Sequence, residues 1–167
     1  MKLLSLGILV LALSGAANAA ICDLNFNGCK TGAASIVSNG KALTNCLWLK
    51  DVRGTMNALV STRTCSPAPK ACEVKTSGCK AGAAWIQYDG KALTPCEWME
   101  DFLRSYRTAY HAGICDSSYT ACEYKPSSGC KTGAGQIFIG DQQITACEWL
   151  KDAGRIMNSL REVHACL

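Results

Sequence analysis

The residues best able to do chemistry are twelve cysteines, which fall into three sets of four. These are Cys22, Cys29, Cys46 and Cys65; Cys72, Cys79, Cys96 and Cys115; and Cys122, Cys130, Cys147 and Cys166. Cysteine sulfur can hold zinc, attack a carbonyl or close a disulfide. A zinc site calls for a C-x-x-C pair or a cluster with histidine, and this chain has no such pair and only two histidines. An even count at regular spacing, all of it beyond an apolar leader, is instead a disulfide framework. No metal and no cofactor are expected.

Catalysis in three copies would need nucleophile, base and orienting group at matching positions. The two histidines, His111 and His164, do not match in spacing, and the first set has none. Both suit helix C-terminal positions, where an imidazole meets the negative end of the dipole. No metalloprotease, nucleophile-elbow or phosphate-loop motif occurs. The chain is therefore read as non-enzymatic.

Other residues recur. A lysine follows each second cysteine (Lys30, Lys80, Lys131), and an aspartate lies five residues beyond each third (Asp51, Asp101, Asp152). They are expected to pair with each other, or to complement a helix start, rather than to bind a ligand. Trp48, Trp98 and Trp149 also recur, and on an apolar helix face they are expected to be core. The middle set differs from the others in its aromatics and arginines. Trp85, Tyr88, Arg104 and Arg107 are of the residue types that dominate binding interfaces, and they mark this set as the favoured contact surface.

Self-similarity at a fixed period shows which elements position these residues. Cys22, Cys72 and Cys122 stand fifty residues apart, and the second-to-third and third-to-fourth gaps are sixteen and eighteen residues in every set. The repeats span residues 22–65, 72–115 and 122–166. Each reads as strand, turn, strand and helix. Asn39-Gly40 and Asp89-Gly90 are strong two-residue hairpin signals, and Gly140-Asp141 suits a II′ turn. Thr94-Pro95-Cys96-Glu97 looks like a capping box opening a helix, echoed by Thr145 and Glu148 and weakened in the first repeat by Leu47. Met99, Phe102, Tyr106, Ala109 and Tyr110 follow at helical spacing, and Gly113 is a natural stop. Gly54 and Gly154 lie inside the other two helices and suggest close helix approach.

The expected fold class is therefore α+β: three tandem disulfide-stapled repeats of about 45 residues, each a β-hairpin followed by an amphipathic α-helix (ββα), too small to be stable without staples. A helix from Cys96 to Ala112 would be about 25 Å long, placing the third cysteine at its start and the fourth past its end. The hairpin returns the second cysteine to the third. The favoured pairing is thus first to fourth and second to third: Cys22–Cys65, Cys29–Cys46, Cys72–Cys115, Cys79–Cys96, Cys122–Cys166 and Cys130–Cys147. Linkage of each fourth cysteine to the next first one is the competing arrangement.

Met1-Lys2, the apolar run Leu3 to Leu13 and Ala17-Asn18-Ala19 form a secretory signal peptide, residues 1–19, cleaved after Ala19. The run is too short to span about 30 Å of hydrocarbon, and no other candidate span follows it. A secreted or periplasmic location follows. The net charge of +4 comes from scattered basic residues, which excludes a nucleic-acid footprint. These features describe an exported multivalent binding protein, inhibitor-like or adhesin-like, whose partner is a protein or a surface polymer. The first alternative is a precursor of three small disulfide-rich toxin or signalling peptides, with Lys70 as a cut site, and the last in rank is an unrecognised secreted enzyme. The sequence leaves the oligomeric state open.

Overall fold

The computed structural model describes residues 20–118 and 120–167; the signal peptide reading falls on residues 1–19, outside the described residues. The protein is mixed α+β, with three helices and six disulfides. In the first repeat β1 (Ile21–Asn25) pairs antiparallel with β2 (Ala33–Ser38). Strand β2 turns into β3 (Lys41–Ala42), and its opposite end meets β4 (Leu47–Trp48), which leads into α1 (Leu49–Ser61). After the helix, β5 (Ser66–Pro67) returns parallel to β1.

The second repeat repeats this order with β6 (Lys70–Lys75), β7 (Ala83–Tyr88), β8 (Lys91–Ala92), β9 (Glu97–Trp98), α2 (Met99–His111) and β10 (Cys115–Asp116). The third has β11 (Cys122–Pro126), β12 (Ala134–Ile139), β13 (Gln142–Gln143), β14 (Glu148–Trp149) and α3 (Leu150–Glu162).

The hairpin turns have the expected backbone. Asn39 and Gly40, and likewise Asp89 and Gly90, all have positive φ. In the third repeat Gly140 supplies it, as a II′ turn requires. The ββα description, however, leaves out the strand ahead of the second cysteine and the two-residue strand before each helix.

The helix starts also need correction. Each helix begins three residues after its third cysteine, with Trp48, Trp98 or Trp149 as an extended N-cap residue that makes no side-chain cap bond. The threonines read as caps do different work. Thr44, Thr94 and Thr145 accept the backbone N–H of Ile36, Ile86 and Ile137 at 2.9, 3.0 and 3.0 Å. Each pins the chain leaving the return strand to the middle of the long strand.

All three helices end alike. The second residue past each C-cap donates back across six residues (Thr64 to Leu59, Ile114 to Ala109, Ala165 to Leu160), with a left-handed residue between: Arg63, Gly113 or His164. Gly113 has a second reason to be glycine, because a Cβ there would lie 3.0 Å from the Pro67 ring.

The first cysteine of each repeat bonds to the fourth and the second to the third, with Cα separations of 5.3 to 5.6 Å. The two kinds of bridge lie in different places. First-to-fourth bridges are buried in the core, whereas the third cysteine of every repeat is exposed. One apolar cluster runs through all three repeats, from Ile36, Val52 and Met56 through Ile86, Phe102 and Tyr106 to Ile137, Leu160 and Val163.

Polar contacts tie the repeats together. Asp23 accepts from Lys70 at 2.9 Å and from the Tyr88 hydroxyl at 2.8 Å, while Lys70 also reaches Asp89 at 3.2 Å. Burial alone would raise the Asp23 carboxyl, but Lys70, Tyr88 and the Leu24 N–H outweigh it and hold it below its ordinary value. The hydrogen bond to Asp23 in turn raises the Lys70 ammonium. The second and third repeats meet through the Tyr110 and His164 rings, stacked at 4.3 Å, and through Arg107 and Glu162 at 3.5 Å. His164 thus serves a repeat junction rather than only a helix end. Lys70 begins a strand and is held by two carboxylates, so little of the first linker is free.

Gly54 and Gly154 do not mark helix contacts, since a Cβ at either would meet nothing within 4 Å. Each therefore only weakens its helix. Gly54→Ala and Gly154→Ala should each raise the unfolding free energy by about 0.5 to 1 kcal/mol in denaturant titrations of the oxidised protein. A loss of stability would mean that a neighbour approaches there.

Candidate functional site

Three equivalent clefts stand out. In the first repeat Gly28, Cys29, Lys30, Ala33, Cys46 and Trp48 line a hollow of about 350 Å³. Lys80, Trp98 and the Cys79–Cys96 bridge line one of about 290 Å³ in the second. Lys131, Trp149 and the Cys130–Cys147 bridge line one of about 310 Å³ in the third. Such volumes lie near the small end of ligand sites, enough for one ring or one side chain.

Local chemistry builds each cleft the same way. The second cysteine and its lysine lie in the loop entering the long strand, and the third cysteine precedes the short strand that carries the tryptophan. The disulfide clamps these two segments together. Trp48 pairs with Ala33, Trp98 with Ala83 and Trp149 with Ala134 across the ladder, which fixes the indole beside the lysine loop. Under each indole lies a glycine (Gly32, Gly82 or Gly133) with φ of +85, +88 or +84°. A Cβ at any of them would meet the ring at ordinary contact distance, 3.6 Å, so it is the left-handed backbone rather than crowding by the indole that calls for glycine.

Two sequence expectations fail here. The tryptophans are not core: Trp48, Trp98 and Trp149 are 51, 57 and 53 % exposed. At the N-cap the chain is extended, so the tryptophan leaves the helical face that continues inward through Val52, Phe102 and Ala153. Nor do the lysines pair with the recurring aspartates, although Asp51, Asp101 and Asp152 do lie in the first turn of their helices, as the alternative of helix-start complementarity expects. Asp101 bonds Arg104 at 3.5 Å and Asp152 bonds Arg155 at 3.4 Å, and among the described residues Lys30, Lys80 and Lys131 make no ion pair. An exposed ammonium therefore stands beside an exposed indole three times over.

The four residues singled out in the middle repeat do not converge. Trp85 is half-buried and donates its ring N–H to the Ser77 carbonyl at 3.1 Å. Tyr88, three residues along the same strand, faces the other way, is 2 % exposed and holds Asp23. Arg104 bonds Glu100 and Asp101, and Arg107 bonds Glu162 on α3. Much of the middle repeat's aromatic content is core and junction, with Phe102 and Tyr106 fully buried. Burial pushes the Tyr106 hydroxyl up to about 12.

Two further hollows lie between the first and second repeats. One, of about 450 Å³, has His111, Asp116, Pro67 and Tyr110 in its wall. The other, of about 260 Å³, brings Trp48, Leu49 and Lys50 opposite Thr94, Pro95 and Glu97. All described cysteines are disulfide-bonded, and no group of three or more metal-ligating side chains is gathered among the described residues.

No protein-family model, no curated protein and no solved structure matches this chain. Its class rests on its own features: a small disulfide-rich α+β protein in which no described helix is long and apolar enough to cross a membrane. Six disulfides are compatible with a secreted or periplasmic location.

Glu97 offers a pH test of the junction. One carboxylate oxygen accepts from Ser105 at 3.0 Å while the other is buried without a partner, and desolvation raises its pKa. A raised carboxyl favours the folded state below its ordinary value of 4.5 and loses that advantage as pH rises through the folded value. Glu97→Gln should therefore raise the melting temperature at neutral pH and lose this gain near pH 4.5. An equal gain at both pH values would contradict this origin.

The exposure of the cleft indoles has its own consequence. Trp48→Ala, Trp98→Ala and Trp149→Ala should each cost about 1 kcal/mol or less, against about 3 to 5 for Phe102→Ala, by chemical denaturation. Comparable losses would return the tryptophans to the core.

Proposed function

We propose that this is an exported, non-enzymatic, multivalent binding protein that uses its three tryptophan-lysine clefts as repeated subsites. The carrying observation is that one side-chain set recurs in all three repeats with the indole half exposed each time. An indole face stacks on a flat apolar surface, and an ammonium beside it attracts an acidic group. Neither does this strongly alone in water. Linked weak sites, however, can gain about 10²- to 10⁴-fold in avidity when the partner spans them.

A partner with acidic groups on a repeating backbone of rings, such as an acidic surface polymer, suits three small open subsites. This makes an adhesin-like role the first reading and an inhibitor-like role, with an acidic protein segment as partner, the second. Against a three-peptide precursor stand the apolar cluster shared by all repeats and the engagement of Lys70 by Asp23 and Asp89.

The test is to immobilise the oxidised protein and measure retention of acidic and neutral polysaccharides and of proteins from the exported fraction. The single tryptophan-to-alanine variants should lose retention of the acidic polymer modestly. The variant altered at all three positions should lose about 10²-fold or more. Full retention by the triple variant would overturn the reading, and retention only of a protein would move the role to the inhibitor-like form.

A further inference from the structure

The repeats meet by the same edges. The residue before the third cysteine of one repeat lies on the cleft glycine of the repeat before it. Pro95 reaches 3.3 Å from a Cβ placed on Gly32, and the Ala146 nitrogen 3.8 Å from one placed on Gly82. On Gly133, in the last repeat, such a Cβ meets only its own Trp149. Corresponding side chains record the same asymmetry. The residue after each cleft tryptophan is 8 % exposed at Leu49, half-buried at Met99 and 66 % exposed at Leu150.

The opposite edge shows the converse. Leu93 and Thr94 are each 2 % exposed, and Ile144 and Thr145 are 1 and 2 % exposed. Their first-repeat counterparts, Leu43 and Thr44, are only half-buried. These positions carry the same or similar residues and differ in whether a repeat precedes them. Tandem stacks ordinarily end in polar capping faces; here Asn45 stands where the later repeats have Pro95 and Ala146, but Leu43 at that edge and Leu150 at the other stay apolar.

From these two open edges we infer that the third repeat of one molecule docks on the first repeat of a second copy, continuing the internal stack head to tail. The occupant is another copy because the two open edges are those that already join repeat to repeat within the chain. Side-chain chemistry fits as well. Inside the molecule Leu49 shares its junction hollow with Glu97, whose buried oxygen lacks a partner. Between copies Leu150 would face Leu47, which occupies the glutamate position in the first repeat, so apolar meets apolar and no carboxylate is trapped. The contact is heterologous, so it propagates into chains rather than closing as a symmetric dimer. It leaves the tryptophan clefts open, because their exposure is the same whether or not another repeat follows.

Sedimentation of the oxidised, processed protein over a wide concentration series tests this. The expected result is a mass that climbs beyond the dimer. Leu150→Asp spoils one edge and Asn45→Arg the other; both positions are exposed, so the fold, checked by circular dichroism, should persist. Each variant alone should associate roughly tenfold or more weakly. Their mixture should form a one-to-one dimer and nothing larger, because each supplies the edge that the other lacks. A monomer at every concentration, or association that neither variant weakens, would overturn the inference.

Discussion

The clamp between the second and third cysteines of each repeat is the constraint on which the rest depends. It ties the lysine loop to the segment that enters the helix, closing a sequence separation of 17 residues. By loop entropy such a bridge contributes about 3 kcal/mol, a large share of what a unit this small can muster. Its position matters as much as its energy. With the two segments held side by side, the short strand ahead of the helix must pair with the base of the long strand. The tryptophan that ends that strand is then set over a left-handed glycine and faces solvent. The buried first-to-fourth bridge acts differently, holding the strand before the clamp to the segment after the helix.

The repeats join into one body through their edges. Leu93 and Ile144 are buried where a repeat precedes them, whereas their first-repeat counterpart Leu43 is only half-buried, and one apolar cluster runs through all three. Polar contacts mark each junction. Asp23, Lys70, Tyr88 and Asp89 belong to the first junction alone, while the second uses Tyr110, His164, Arg107 and Glu162. The two junctions thus differ in their polar contacts and also in their helices, since α1 packs closely on α2 while α2 and α3 come together less closely. The stack leaves two unmatched edges at the ends of the molecule and three clefts along its side.

Much of this was legible in the sequence because cysteine spacing and glycine turns are strong local signals. Helix length and hairpin geometry narrowed the cysteine pairing, and Asn39-Gly40 and Asp89-Gly90 located the turns. The first strand of each repeat was not legible. Cys22-Asp23-Leu24-Asn25 and Cys72-Glu73-Val74-Lys75 alternate buried with polar residues, but over so few positions that periodicity alone is weak. The threonines were misread for a different reason. Thr94 and Glu97 have capping-box spacing, yet the threonine hydroxyl is taken by the Ile86 N–H across the sheet, a long-range bond that local sequence does not announce. The tryptophans misled because helical spacing says which residues share a face but not where the helix begins. A start three residues later puts Trp98 on the cap and out in solvent. Their recurrence alongside a recurring lysine does not separate surface from core, because core positions such as Ile36, Ile86 and Ile137 recur as well.

Disulfide mapping by proteolysis under non-reducing conditions, followed by mass spectrometry of the linked peptides, tests the account at its base. The clamp predicts Cys29 linked to Cys46, Cys79 to Cys96 and Cys130 to Cys147, with every remaining bridge inside a single repeat. Linkage of Cys29, Cys79 or Cys130 to any cysteine other than the third of its own repeat would contradict it. The lysine loop and the tryptophan strand would then lack their common anchor, and the three clefts would have no reason to exist.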